Sequence, residues 1–191
     1  MQISESVQRI AASQSLAMAA RAKAMKAAGI DVISMSLGEP DMDTPEHIRR
    51  AAQEAIDSGW THYGPVAGIT SLREAIAAFN TPPFREEQEV GLIRYTSDDV
   101  VVSVGAKMAI FNAIQTVINP GDEVIIPMPS WVSYGEMVKL AEGTVIPVQT
   151  RYEDRYCLTP EQLRKALTPK TRMLALSCSP IQCRHRHCER W

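Results

Sequence analysis

From Val100 onward the chain alternates short apolar, β-branched runs with helix-forming segments, and this alternation narrows the fold more than any other feature. Val100 to Val104, Glu123 to Ile126, Thr144 to Val148 and Met173 to Leu176 read as strands. Between them, Lys107 to Val117 and Trp131 to Ala141 read as helices, and Thr159-Pro160-Glu161-Gln162 opens another with a capping box. Strands separated by helices lie side by side in the same direction, because each helix carries the chain back across one face of the sheet. The expectation is an α/β fold with a mainly parallel sheet.

The preceding hundred or so residues are less regular. Ser13 to Ala28 is rich in Ala, Met, Lys and Arg and reads as a helix capped by Gly29. Asp31 to Leu37 reads as a short buried strand running into a Gly38-Glu39-Pro40-Asp41 loop. Thr44 as cap and Pro45 in the first turn open a helix with Ile48, Ala51, Ala52, Ala55 and Ile56 on one face, ending at Gly59. A loop, Tyr63 to Gly68, leads to a helix over Leu72 to Phe79. Asn80 to Asp99, with Pro82-Pro83, reads as a polar surface excursion.

Composition excludes several functions. Of 191 residues, 20 are Lys or Arg and 22 Asp or Glu, a net charge of −2, which offers no basic excess for nucleic acid or an anionic membrane. No apolar run is long enough to span a bilayer, and the N-terminus has no signal-peptide pattern, so a cytoplasmic protein is expected. The four cysteines are read as reduced thiols. Three of them, Cys178, Cys183 and Cys188, crowd the last fourteen residues beside His185 and His187. These are legitimate zinc ligands, but their spacing is too tight for the usual paired arrangement.

Two segments carry chemistry. Val100 to Lys107 (VVVSVGAK) is a strand turning through Gly105 into a helix, which leaves first-turn amides unpaired and aimed at a site suited to a phosphate, with Lys107 adding a charge. The alternative is a compact strand-to-helix connection and nothing more. Trp131 follows Pro127 and Pro129 beyond a strand's C-terminal end, where open α/β sheets place ligands, and its indole suits a flat heteroaromatic ring or, equally, a core position.

Taken together, SLGEPD (36–41), YGPVAGITSLREA (63–75), VSVGAK followed by AIFNA (102–113), and NPGDEV leading to Trp131 and Tyr134 (119–134) resemble the fold-type-I pyridoxal-phosphate aminotransferases, in the order and spacing of the bacterial aspartate branch. The resemblance runs from about Ser13 to Pro180. It implies an incomplete three-layer α/β/α large domain: residues 1–45 as N-terminal arm and start of the small domain, 46–180 as the first part of the large one. It implies that the bend at Gly105, with the amides of Ala106 and Lys107, holds the phosphate of pyridoxal 5′-phosphate, and that Trp131 stacks on its ring. Gly38 would sit beside the substrate α-carboxylate. Tyr63 would reach the phosphate of a neighbouring subunit, hence a homodimer, and Lys107 would read the side-chain carboxylate of a dicarboxylic substrate. The substrates implied are an amino acid, foremost aspartate, and a 2-oxo acid; prephenate, aromatic and alanine specificities share the motifs.

The resemblance stops after Ser179-Pro180. The lysine that forms the imine, the acid that protonates the ring and the arginine that clamps the α-carboxylate match no position; Lys139, Lys165 and Lys170 are not in the family's pattern. Residues 181–191 read as a frameshifted tail: codons such as ATC CAA TGC for Ile181-Gln182-Cys183 contain Ser-Asn one base along, and CAC CGG CAC for His185-Arg186-His187 contains Thr-Gly. The expectation is an aminotransferase fragment that is inactive alone. The alternatives are a non-catalytic dimerising fragment and a Cys/His metal-binding module.

Overall fold

The computed structural model describes residues 3–36, 38, 40–81 and 94–177. The terminal Cys/His cluster, the tail and most of the Asn80–Asp99 excursion therefore lie outside the described residues. The chain forms two compact units, one drawn from residues 1–11 and 104–191, the other from 12–103.

The first unit is built on a parallel three-stranded sheet in the order β2-β1-β3, with β1 (Glu123–Met128) between β2 (Thr144–Gln149) and β3 (Thr171–Leu174). Ile125 faces Ile146 on one side and Leu174 on the other. Helices α5 (Gly105–Val117) and α6 (Val132–Leu140) pack with the sheet, and α7 (Pro160–Ala166) lies by β2. Alternation along β1 sends Val124 and Ile126 into one cluster with Ile114 and Ile118 from the α5 end and Met137, Val138 and Ala141 from the α6 end. This α/β architecture with a parallel sheet is the expected one. The capping box of α7 also forms as expected: the Gln162 amide donates to Thr159 Oγ1 (3.2 Å) and the Thr159 amide to Gln162 Oε1 (3.0 Å).

NPGD (119–122) is a turn that aligns two strands. The Asp122 amide donates to Asn119 O, and the Asp122 carboxylate accepts from the Asn119 amide at 2.9 Å. Asp122 O then receives the Thr144 amide that starts β2, and Arg172 of β3 lies 3.5 Å from its carboxylate. The Asn119 bond, ahead of Arg172, holds the Asp122 carboxyl below its ordinary value.

An N-terminal arm with a single turn, α1 (Glu5–Gln8), docks on α6. Glu136 accepts the Ala11 amide at 2.9 Å and Lys139 Nζ at 2.8 Å, while Arg9 pairs with Glu142 at 3.2 Å, half exposed and contributing little. The Lys139 bond first, then the Ala11 bond, depresses the Glu136 pKa. A carboxyl lowered in the folded state contributes stability that is full above its unfolded value and disappears as pH falls through the folded one. Acidification below the ordinary glutamate range is therefore expected to lower the protection factor of the Ala11 amide in hydrogen exchange. Glu136→Gln should flatten that pH dependence, and protection unchanged by acid would contradict the assignment.

The second unit holds α2 (Gln14–Ala27), α3 (Glu46–Asp57), α4 (Thr70–Asn80) and a 3₁₀ turn (Ser97–Asp99) against α4. Ser13 caps α2, and α2 and α3 close at Gly29 and Gly59 with paired end bonds, Ile30 to Met25 O and Trp60 to Ala55 O. Three expectations are corrected here. Pro45, not Thr44, is the cap of α3: its φ of −51° suits a helix, but its ψ of 141° is extended, so helical geometry begins only at Glu46. Residues 31–36 form no strand, with Ile33 and Met35 about nine-tenths exposed (90% and 92%). The Val100–Val104 run is likewise neither a strand nor buried throughout: Val101 and Val104 are exposed, and its amide bonds among the described residues, Val100 to Ser97 O and Val102 to Ala67 O, make no ladder. Extended apolar residues become a sheet only when a neighbouring strand takes their N–H and C=O groups, and none does so among the described residues.

Candidate functional site

The first unit brings four of the expected site residues together. α5 begins at Gly105, whose φ of +77° suits glycine and turns the chain sharply into the helix. Its cap, Val104, has no polar side chain to satisfy the first turn. Among the described residues the Gly105, Ala106 and Lys107 amides donate to nothing. Three unpartnered N–H groups thus lie at the positive end of the helix dipole.

Trp131 reaches the same neighbourhood from the end of the central strand. β1 ends at Met128, the Met128–Pro129 bond is cis, and Trp131 is the cap residue from which α6 departs. Thr150, just past β2, ties this end down: its amide (3.0 Å) and Oγ1 (2.6 Å) both donate to Met128 O. The indole packs edge-on against Tyr134 one turn along, with ring centres 5.4 Å apart and planes at 88°. Lys107 Nζ stands over the indole, 5.1 Å from its centre, a cation–π contact across the α5 and α6 starts. No carboxylate neutralises Lys107 among the described residues. The result is an electropositive bend beside a part-exposed aromatic face, able to hold an anion and a flat ring at once.

Gly38 and Tyr63 belong to the second unit. Gly38 has open space where a side chain would stand, and the Tyr63 ring is fully exposed. Tyr134 entered the sequence reading only as the end of the 119–134 motif, with no role at the site, and Thr150 did not enter it. The spacing of three between Trp131 and Tyr134 on a helix would have signalled the first. Thr150 gives no local signal, because its partner lies 22 residues away. The described residues hold no group of three or more His, Cys, Asp or Glu placed to bind a metal, and no helix among them is long and apolar enough to cross a membrane.

Residues 30–180 match the family described as aminotransferase class I and II. The chain belongs to this family. It is 42% identical over 175 residues to the aspartate/prephenate aminotransferase of Thermus thermophilus, covering 92% of this chain and 44% of the relative. It is 46% identical over 170 residues to that of Cereibacter sphaeroides, covering 89% and 41%. Among solved structures, the Thermus thermophilus aspartate aminotransferase with maleate superposes with a TM-score of 0.81 at 42% identity, over 91% of this chain and 44% of that one. The Rhizobium meliloti aspartate aminotransferase gives 0.81 at 39% identity, over 91% and 42%. The chain thus spans less than half the length of the aminotransferases it matches.

Proposed function

We propose that this chain carries the amino-terminal part of a pyridoxal-phosphate aminotransferase acting on aspartate, and that the bend at Gly105–Lys107 receives the cofactor's phosphate. The observation that carries the reading is the meeting of the Lys107 ammonium and the Trp131 ring, 5.1 Å to its centre, at a helix start whose amides are free. The residues fit the group. Nothing lies within 4 Å of where a Cβ on Gly105 would stand, so the bend is open to a ligand approaching the backbone. The unpartnered amides of Ala106 and Lys107 match phosphate oxygens, and the exposed part of Trp131 offers a stacking face.

When bound, pyridoxal phosphate supplies an aldehyde and a protonated ring that draws electrons from the amino acid's α-carbon. What this chain's residues do is bind and orient. The Ala106 and Lys107 amides fix the phosphate end, and Trp131 sets the plane of the ring. Gly38 leaves room beside the substrate α-carboxylate, and Tyr63 reaches the phosphate held by a second copy in a homodimer. The Lys107 side chain, a flexible point charge, takes the distal carboxylate of a dicarboxylic substrate; maleate, bound in the Thermus thermophilus structure, is a dicarboxylate. No lysine in the sequence matches the family's imine-forming lysine, so the proposed role of this chain alone is binding without turnover.

The test is a fluorescence titration of the full chain bearing Trp60→Phe and Trp191→Phe, so that Trp131 is the sole tryptophan, excited where tyrosine does not absorb. Pyridoxal phosphate should quench it saturably. A linear, non-saturating response contradicts the proposal.

A further inference from the structure

The segment Gly68 to Glu74 (GITSLRE) is part of the motif that identified the family, yet none of its residues enters the site described above. Arg73 is the residue in it with most to hold. It projects from the first turns of α4 with only 16% of its side chain exposed. Its Nε donates to Val100 O at 3.0 Å and its Nη2 to Ser97 O at 2.5 Å; the 3.4 Å approach to the exposed Asp98 carboxylate adds little. One guanidinium thus closes both ends of the 3₁₀ turn against α4 using its fixed fork of donors, a geometry that no single-point cation reproduces.

A second fastening lies next to it. The Val102 amide donates to Ala67 O at 2.9 Å, at the end of the loop that carries Tyr63. Gly68, at φ +105°, presses so closely on Val102 that an added Cβ would stand 2.6 Å from Val102 Cγ2. The loop itself is otherwise lightly held: a bond from the Gly68 amide to Pro65 O closes its last turn, and Tyr63 and Val66 are fully exposed. Tyr63 has no hydrogen-bond or ring partner among the described residues. On its near side the loop is fastened by the Trp60 amide to Ala55 O and the Thr61 amide to Gly59 O, so the position of the Tyr63 hydroxyl depends on this end and on what grips the far end at Ala67 and Gly68.

We propose that Arg73 is a positioning residue for Tyr63: by clamping the 97–100 turn to α4 it fixes Val102 against Ala67 and Gly68, and through them the loop that presents the Tyr63 hydroxyl to a phosphate. This rests on the reading that Tyr63 meets the cofactor phosphate. The effect is on the phosphate end of the ligand only, which separates it from a general structural role.

The experiment is a double-mutant cycle in the full chain, with Tyr63→Phe, Arg73→Met and the pair, each titrated with pyridoxal phosphate and with phosphate-free pyridoxal. Tyr63→Phe should weaken pyridoxal phosphate about tenfold, the loss of one hydrogen bond to a charged group. Arg73→Met should weaken it to a similar degree, and the pair should be no weaker than Tyr63→Phe alone, because a misplaced phenylalanine has nothing left to lose. Pyridoxal affinity should stay the same throughout. Arg73→Lys, which keeps the charge on one donor nitrogen but loses the fork, should fall between. If Arg73→Met does not fold, Gly68→Ala, which pushes Val102 away, replaces it with the same expected pattern. Additive losses, or equal losses for pyridoxal, overturn the proposal, as does Tyr63→Phe binding pyridoxal phosphate at full strength. A wild-type chain blind to pyridoxal phosphate overturns the functional reading itself, and is told apart by that first titration.

Discussion

Ile114→Ala is expected to lower the unfolding free energy by about 2–5 kcal/mol, against about 0.5–1.5 kcal/mol for Ile114→Val. Ile114 lies on α5 and is 1% exposed, packed into the cluster that joins α5 to β1 and α6. Removing three carbons there loses their transfer free energy and leaves a cavity that the surrounding Ile118, Val124, Ile126 and Val138 cannot close without moving. Val117, three residues on in the same helix, is 45% exposed, so Val117→Ala should change stability by no more than about 0.5 kcal/mol. Urea unfolding followed by far-ultraviolet circular dichroism compares the three directly. Because domains are stable by only about 5–15 kcal/mol, the Ile114→Ala loss is a large share of the whole. An Ile114→Ala loss below about 1 kcal/mol would show that α5 is not packed on the sheet as described. Since α5 starts at the Gly105 bend proposed to hold the phosphate, the same variant should also weaken ligand binding, as a consequence of a loosened helix.

Trp131→Ala is expected to weaken pyridoxal phosphate by about thirtyfold or more, combining lost stacking with lost apolar contact. The indole is 40% exposed and held edge-on by Tyr134, so a face is available to a ring while the side chain is kept from swinging. Its removal also strips Lys107 of the surface its ammonium covers. Trp131→Phe keeps a flat ring and should recover most of the affinity. Isothermal titration calorimetry reads all three proteins without relying on the tryptophan signal. Equal affinities for wild type and Trp131→Ala would remove the indole from the site.

Several helix ends were legible. Thr159 with Gln162, Gly29 and Gly59 each announce an end through chemistry confined to a few neighbours, and each forms, whereas Thr44 announces a cap that falls instead on Pro45. The three strands of the first unit were legible because their apolar runs are bounded by turns, and NPGD sets the start of β1. The runs at 31–37 and 100–104 show why pattern is not enough. Apolar, β-branched residues predict that a segment seeks cover, but a strand exists only where a partner completes its ladder, and that partner is not written in the segment itself. In the site, Lys107 and Trp131 stood out separately, one in a glycine bend and the other after two prolines. Their contact joins positions 24 apart, which no periodicity encodes. Arg73 stayed hidden for the same reason, since the carbonyls it holds belong to Ser97 and Val100.

The proposed phosphate site at the Gly105–Lys107 bend, beside the Trp131 ring, is tested by comparing pyridoxal phosphate with pyridoxal on the wild-type chain, with inorganic phosphate as competitor. The geometry predicts that the phosphate ester binds about tenfold tighter or more, as expected for hydrogen bonds to a charged group, and that inorganic phosphate erodes this advantage. Equal affinity for the two, unaffected by phosphate, would contradict it.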